Sequence, residues 1–276
     1  MRYVFVSDIH GRFDKLQTAL QSVGFDPNND TLVSLGDPFD RGNQNLEVLY
    51  FLVNLPRKIL VWGNHDLRLQ ELYLGRDVVG GHDYSNGMLQ TIRDFTGFQS
   101  TSNIADGLWM LKEFSQCEEV KRLLEKYFNL CVYAVEWSDL VAVHGWVPVL
   151  VDDKKTTFDK WGWPMTTTYY KYWYDWRTAN PKEWYEATWE HTQKMIAQEL
   201  FIPDKTIIVG HWHAWRLRKF VELKEVTYQP DEVINHSTFS IPGKLIAIDG
   251  CSNAEGGIVN AFAYVTDEVP TLIKGE

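Results

Sequence analysis

The sequence contains few cysteines, no long apolar run and no excess of positive charge. Its three cysteines, Cys117, Cys131 and Cys251, are odd in number and widely spaced in 276 residues, which argues against a disulfide framework and favours a reducing compartment. No segment approaches the roughly 20 consecutive apolar residues of a membrane-spanning helix. The chain starts with an apolar run that lacks the basic region and the cleavage site of a signal peptide. We therefore predict a soluble, cytoplasmic protein with no membrane contact.

Acidic residues outnumber basic ones by 37 to 27, which gives a formal net charge of −10. Proteins that bind long nucleic acid neutralise its phosphates with lysine and arginine, so this balance argues against such a partner. Hydrophobic residues make up 45% of the chain, as in ordinary globular proteins. No repeat, low-complexity segment or linker divides the sequence, and we predict a single domain over residues 1–276, with insertions.

The first third of the chain alternates between strand and helix patterns. Apolar runs at residues 3–7, 31–35 and 58–62 are separated by segments with apolar residues at helical spacing. This order is typical of βαβ units, so the polar residues after each strand are expected to meet at one sheet edge. The predicted class is α/β (α+β). Residues 67–126 are mostly helical in pattern, and further strands are predicted at 131–137, 139–143, 206–209, 244–248 and 258–265.

Aromatic residues are concentrated in the second half of the chain. Nine of the twelve tryptophans lie between Trp146 and Trp215, and several tyrosines accompany them. We predict an aromatic-rich helical insertion at about residues 146–200. Two interpretations stay open: the rings form a packed core, or they form a lid that stacks on a base or an aryl group.

Five clusters of metal-competent side chains follow predicted strands. Carboxylate and imidazole together suit manganese, iron or zinc, whereas calcium prefers oxygen ligands alone. These ligands are too many for one ion, and Asp37 is placed to bridge two ions, the arrangement used for in-line attack on phosphorus. The sequence has neither a Gly-x-Ser-x-Gly elbow nor a phosphate-binding Gly-rich loop. The clusters are Asp8-Ile9-His10, Gly36-Asp37-Pro38-Phe39-Asp40-Arg41-Gly42, Gly63-Asn64-His65-Asp66, His144-Gly145 and Gly210-His211-Trp212-His213.

In this order, the motifs resemble those of the calcineurin-like metallophosphoesterase superfamily. The Gly36 to Gly42 segment is similar in particular to the phosphoprotein phosphatase branch, which includes bacterial and phage serine/threonine phosphatases and symmetrical diadenosine tetraphosphate hydrolases. The resemblance runs from Asp8 to His213. It implies a four-layer sandwich, in which two mixed β-sheets are flanked by helices.

The resemblance also implies a role for each motif residue. His65 would be the general acid that protonates the leaving oxygen, and Asp40 would fix its tautomer. Arg41 would bind the substrate phosphate bidentately, with Asn64 beside it. The cofactors would be two divalent ions, Mn²⁺ and/or iron, with Zn²⁺ as an alternative. The implied metal ligands are Asp8 and His10 for the first ion, Asp37 as the bridge, and Asn64, His144 and His211 for the second.

Four features leave alternatives open. Arg177 is a candidate second phosphate-binding arginine, although it is equally well explained by stacking on neighbouring tryptophans. His213 is either a further ligand of the first ion or a surface histidine. Asp66 stands where the branch usually has glutamate, so its contacts are expected to differ. The remaining histidines lack a partner pattern and are predicted to lie in loops or on the surface: His82, His191 and His236.

The predicted activity is hydrolysis of a phosphomonoester, phosphoserine and phosphothreonine included, by a metal-activated hydroxide. One alternative is a hydrolase of dinucleoside polyphosphates of the diadenosine tetraphosphate type, and another is a phosphodiesterase or nuclease. A catalytically silent metal-binding scaffold is the hypothesis from a different class. The expected partner is therefore a phosphorylated small molecule, a nucleotide or a phosphoprotein, and the oligomeric state stays open.

Overall fold

Two mixed β-sheets pack face to face, and helices cover the outer face of each sheet. The computed structural model describes residues 1–97, 117–158, 164–172, 175–223 and 234–275. The strands in chain order are β1 (Arg2–Val6), β2 (Thr31–Ser34), β3 (Lys58–Val61), β4 (Cys131–Val132), β5 (Ala134–Glu136), β6 (Leu140–Val143), β7 (Val149–Phe158), β8 (Pro164–Tyr172), β9 (Thr206–Val209), β10 (Phe239–Ile241), β11 (Leu245–Ala247), β12 (Phe262–Val265) and β13 (Thr271–Ile273).

The described α-helices lie mainly between strands of the first sheet and after the strands of the second. They are α1 (Phe13–Ser22), α2 (Asn45–Asn54), α3 (Asn64–Tyr73), α4 (Gly81–Asn86), α5 (Met88–Thr96), α6 (Glu118–Leu130), α7 (Pro181–Thr188), α8 (Thr192–Ala197) and α9 (Ala214–Arg218), with a 3₁₀ turn at Trp176–Thr178 and a π-helical turn at Lys219–Leu223. Among the described residues, no helix is both long enough and apolar enough to cross a membrane.

The first sheet has the strand order β12-β1-β2-β3-β4, and the second has β10-β11-β9-β6-β5-β13. Strands β1 to β4 run parallel, as do β11, β9 and β6. The buried layer between the sheets includes Phe5, Leu35, Trp137 and Ile208. This arrangement confirms the predicted α/β class and the two mixed sheets flanked by helices. The parallel β1-α1-β2-α2-β3 segment matches the predicted βαβ pattern closely.

Two local predictions need correction. The run at 131–137 is not one strand, because the chain passes from the first sheet to the second at Tyr133, between β4 and β5. The insertion at 146–200 is helical only in its second half. Its first half is the antiparallel β7–β8 hairpin, which is rich in threonine and tyrosine, residue types that favour strands.

The two outer layers differ in how they use aromatic residues. On the first sheet, helices α1, α2, α5 and α6 contribute mostly aliphatic side chains to the core. On the second sheet, Trp146, Trp176 and Trp184 are all buried in one cluster with β6 and β9. These three tryptophans therefore form core, as the first interpretation of the aromatic segment predicts. Trp161, Trp163 and Trp173 lie outside the described residues.

Candidate active site

Most of the predicted site residues meet at the carboxyl edges of both sheets. Asp8 and His10 follow β1, Asp37 follows β2, and Asn64 begins α3 directly after β3. His144 and His211 follow the neighbouring strands β6 and β9 of the second sheet. Parallel strands end at the same edge, so five separate loops converge there.

The backbone at this edge is unusually constrained. Of the nine described non-glycine residues with a left-handed φ, seven lie here: Asp8, His10, Asp37, Asp40, Arg41, His211 and Cys251. Gly36 also has a positive φ of 85°, and a Cβ on it would lie 2.5 Å from the Cα of Gly63. The ends of β2 and β3 approach each other too closely for a side chain at that point. Such strain is typical of functional sites.

Two groups of side chains place their ligand atoms close together. In each group, one atom from every residue lies within 4.8 Å of the others. The first group is His10, Asp37 and His65, and the second is Asp37, His144 and His211. Asp37 is common to both, which is the position predicted for a bridging ligand. Asp8 lies at the edge of the first group, with its Oδ1 atom 3.9 Å from Nε2 of His10.

Backbone carbonyls orient two of these histidines. Nδ1 of His10 donates to the carbonyl oxygen of Phe39 over 2.8 Å, and Nδ1 of His144 donates to that of Leu35 over 2.7 Å. Because Nδ1 carries the proton in each case, Nε2 is the atom left to bind a metal. Metal-binding histidines are commonly held in this way.

The donor set around His144 calls for a positive charge. Its Nε2 lies 2.9 Å from Oδ1 of Asn64 and 3.4 Å from Oδ2 of Asp37. Adjacent ligands of an ion with bonds of about 2.0–2.2 Å are separated by about 2.9–3.4 Å. Burial opposes a proton on His144, but Asp37 raises its pKa to about 10. Burial and His144 lower the pKa of His211 to about 3, which keeps that imidazole neutral and able to ligate.

The carboxylates fit the same conclusion. Burial and the charge of Asp249 raise the pKa of Asp8 to about 7. Burial alone would also raise the pKa of Asp37, but the imidazoles of His144 and His65 lower it well below its usual range. Both carboxylates are almost completely buried, so a divalent cation would offset their mutual repulsion and desolvation. The residues therefore fit a pair of divalent ions, and their assignment as ligands stays a prediction.

His65 has the surroundings predicted for a general acid. Its Nδ1 donates to Oδ2 of Asp40 over 2.5 Å, and the hydroxyl of Thr91 donates to the other oxygen of Asp40. Burial would lower the pKa of His65, but the charges of Asp37 and Asp40 raise it above the usual value. Thr91 has no motif around it, and the sequence analysis did not identify it.

Arg41 lies between the two histidines of the first group. Its guanidinium nitrogens lie 2.7 Å from Nε2 of His10, 3.2 Å from Nε2 of His65 and 3.3 Å from Oδ1 of Asn86. No carboxylate in the described part of the chain forms an ion pair with Arg41. Its charge is therefore available to an anion, as predicted for a phosphate ligand.

His213 lies beside the site but outside both groups. Its Nδ1 donates to Oδ2 of Asp249 over 2.8 Å, and its Nε2 lies 3.5 Å from Sγ of Cys251. Burial opposes protonation of His213, but Asp249 raises its pKa to about 10. A carboxylate on Nδ1 is a common partner of metal-binding histidines. A ligand role for His213 stays a prediction, and Asp249, to which the sequence analysis gave no role, is its orienting residue.

Arg177 is not brought to the site. It donates to the carboxylates of Glu136 and Asp175, and its guanidinium lies 4.5 Å from the ring centroid of Trp176. Because two carboxylates already neutralise its charge, the phosphate-binding prediction is corrected in favour of the stacking alternative.

A cavity of about 520 Å³ opens over the two groups. It is lined by most of the predicted residues and by several that the sequence analysis missed or treated as surface loops. His82 is exposed and His191 lies in the loop before α8, as predicted, but the sequence analysis did not foresee that both line the cavity. They reach it through the packing of separate helices, for which no local motif exists. The additional lining residues are His82, Asn86, Trp189, His191, Trp212, Arg216 and Asn253.

The family model for calcineurin-like phosphoesterases matches residues 1–234 of the chain. The chain belongs to the calcineurin-like phosphoesterase family. Its matched part includes every predicted metal ligand, which confirms the family predicted from the motifs.

Relatives of this phosphoesterase include proteins of two named activities. The symmetrical bis(5'-nucleosyl)-tetraphosphatase of Baumannia cicadellinicola is 47% identical over 76 residues, which cover 27% of this chain and 26% of that protein. The protein of the same name from Hamiltonella defensa is 25% identical over 237 residues, or 78% of this chain and 84% of that protein. Serine/threonine-protein phosphatase 2 of Salmonella typhimurium is 43% identical over 82 residues, or 30% and 36% of the two chains. The chain thus spans about a quarter of the first of these relatives.

Asp66 of this calcineurin-like phosphoesterase accepts a hydrogen bond from the backbone of Asp37 and helps to position it. Its Oδ2 accepts hydrogen bonds from the amides of Gly63 (2.8 Å) and Asp37 (3.0 Å). Its Oδ1 accepts from the hydroxyl of Tyr127 over 3.1 Å. All three hydrogen bonds are buried. Both carboxylate oxygens of Asp66 therefore accept hydrogen bonds, at a position where the branch usually has glutamate.

Replacing Tyr127 with phenylalanine is expected to destabilise the protein by about 1–3 kcal/mol, because a buried carboxylate loses its hydroxyl donor. Chemical denaturation would measure this loss. Tyr50→Phe removes a hydroxyl from a hydrogen bond to Glu119 at the surface and is the matched control, with an expected change within about 0.5 kcal/mol. Equal stability of the two variants would show that Tyr127 does not support Asp66.

Proposed function

We propose that this protein is a metal-dependent hydrolase of phosphate esters or anhydrides. The observation that carries the proposal is the position of Asp37, which is common to two groups of metal-competent side chains, with Arg41 and His65 lining the same cavity. A site that held a single structural ion would need neither a shared carboxylate nor, beside it, an arginine that pairs with none of the described carboxylates.

Separate residues of the chain bind the negatively charged phosphate and transfer a proton. When bound, the two divalent ions supply a hydroxide nucleophile at neutral pH and stabilise negative charge on the phosphoryl oxygens. Arg41 binds a phosphoryl oxygen through the N–H groups that its contacts with His10, His65 and Asn86 leave unused, and it keeps the phosphate beside His10. His65, held by Asp40, carries a proton on Nε2 and donates it to the leaving oxygen.

The lining of the cavity bears on the substrate. Trp189 lies with its ring centroid 5.8 Å from that of His82, and Trp212 lies 4.1 Å from His191. Both tryptophans are half-buried and line the cavity, unlike the core tryptophans of the second sheet. An aromatic face in such a position stacks on a nucleobase with about 1–3 kcal/mol per base.

These aromatic residues favour a dinucleoside polyphosphate as the substrate over a simple phosphomonoester or a phosphoprotein. The names of two relatives, both bis(5'-nucleosyl)-tetraphosphatases, support the same choice. The phosphatase relative keeps phosphoserine and phosphothreonine as the second candidate. A diester or nuclease substrate is less well supported, because Arg41 is best used by a phosphate with several free oxygens.

The test compares four substrates of the manganese-loaded protein: diadenosine tetraphosphate, an aryl phosphomonoester, an aryl phosphodiester and a phosphoserine peptide. We expect kcat/KM for the dinucleotide to exceed that for the monoester by at least about tenfold, since base stacking adds to binding. Chromatography would identify the products, and two equal nucleoside diphosphates are expected. A preference for the peptide or the monoester would indicate a phosphatase instead of a dinucleoside polyphosphate hydrolase. Inactivity on all four substrates with two metals bound would overturn it.

A further inference from the structure

A second arginine, Arg216, lines the cavity together with Arg41. Arg216 lies in α9, just after the His211 to His213 segment that follows β9 of the second sheet. Arg41 follows β2 of the first sheet. The two arginines therefore reach one cavity from segments that follow different sheets, and the same cavity is lined by candidate metal ligands.

The charge of Arg216 is not neutralised by the protein. No carboxylate in residues 1–97, 117–158, 164–172, 175–223 or 234–275 forms an ion pair with it, whereas Arg68 and Arg177 each contact at least two. The carboxylates that line the cavity are Asp8 and Asp37, both committed to the candidate metal centre. An exposed, unpaired arginine at the mouth of a cavity is free to bind an anion.

Aromatic rings hold this guanidinium in place. Its central carbon lies 5.0 Å from the ring centroid of Trp215 and 5.8 Å from that of Trp212. Contact with aromatic faces restricts the side chain while the N–H groups at the guanidinium edge stay free to donate. Trp212 also contacts His191. Both residues line the cavity, so one of the two rings beside Arg216 is part of the cavity wall.

We propose that Arg216 forms a second anion subsite, which binds a phosphate other than the one undergoing hydrolysis. The subsite selects substrates with a chain of phosphates over those with only one. Arg41 binds the reacting phosphate next to His10 and His65, and Arg216 binds a phosphate further along the chain. The inference rests on the proposed phosphoester hydrolysis and adds a specificity-determining residue to it.

The net charge of the protein also favours a ligand with several negative charges. The protein carries a formal net charge of −10, so the chain as a whole repels anions. A cavity with two unpaired arginines and a pair of divalent cations would be an exception, and a polyphosphate would be drawn to it more strongly than a single phosphate.

The experiment measures binding by calorimetry to the manganese-loaded protein, with free Mn²⁺ held constant because polyphosphates chelate it. The two probes are inorganic phosphate and an imido-linked triphosphate, which resists hydrolysis. Arg216→Ala is expected to raise Kd for the triphosphate by roughly tenfold to a hundredfold, the loss of a charge-assisted contact. The Kd for phosphate is expected to change less than about threefold.

Two further variants sharpen the result. Arg76→Ala removes an exposed arginine outside the cavity and is expected to leave both Kd values unchanged. Arg216→Lys keeps the charge without the planar fork and is expected to recover part of the triphosphate affinity. Equal changes for both probes, or no change for either, would overturn the subsite. A selective loss of triphosphate binding in a protein that hydrolyses none of the four substrates would contradict the proposed function alone.

Discussion

Replacing Asp37 with asparagine is expected to lower kcat/KM by more than about 1,000-fold, since the site loses the one carboxylate common to both groups of ligands. The fold is expected to survive, because an amide oxygen can still accept the hydrogen bond that Oδ1 of Asp37 receives from the amide of His65. Hydrolysis rates, bound manganese by elemental analysis and a circular dichroism spectrum measure the three consequences. We expect fewer than two ions per chain in this variant.

The matched control for this substitution is Asp267→Asn. Asp267 is exposed and far along the chain from every motif, so the control makes the same change of charge without touching the site. Its activity and metal content are expected to equal those of the unaltered protein. Full activity of Asp37→Asn with two bound ions would contradict both the bridging role and the proposed mechanism.

The core of the site could be predicted because its residues directly follow strands. Asp8, Asp37 and His144 each come within three residues of a strand end, and the apolar runs that form those strands are visible in the sequence. Parallel strands then bring the residues together whatever the lengths of the intervening helices. The two-sheet fold itself was predicted from the family resemblance, which rests on these short motifs.

The periphery could not be predicted, because it depends on contacts between distant segments. Arg177 is neutralised by Glu136, 41 residues away, and nothing in the local sequence indicates that pairing. Arg216 and His82 reach the cavity through the placement of α9 and α4, which the strand pattern does not determine. The sequence analysis missed the hairpin of β7 and β8 because it assigned the aromatic residues to a helical core, although tyrosine and threonine both favour strands.

The geometry of His65 leads to the second large effect. His65→Asn is expected to reduce kcat by about 100- to 10,000-fold for a substrate with a poor leaving group, because no side chain then protonates the departing oxygen. Both ions are expected to stay bound, since the resemblance assigns His65 to proton transfer. Steady-state kinetics and elemental analysis of the same preparation give both values.

A comparison of substrates with good and poor leaving groups distinguishes proton donation by His65 from metal binding by His65. An aryl phosphate with an acidic phenol departs without protonation, so the loss of activity in His65→Asn should shrink strongly for that substrate. Asp40→Asn is expected to show the same dependence with a smaller amplitude, because the imidazole remains but its carboxylate partner is gone. Nε2 of His65 lies only 3.8 Å from Oδ2 of Asp37, so a ligand role has a clear signature as well. A loss of one ion from His65→Asn, with equal losses of activity for good and poor leaving groups, would make His65 a metal ligand and leave the general acid to be found elsewhere in the cavity.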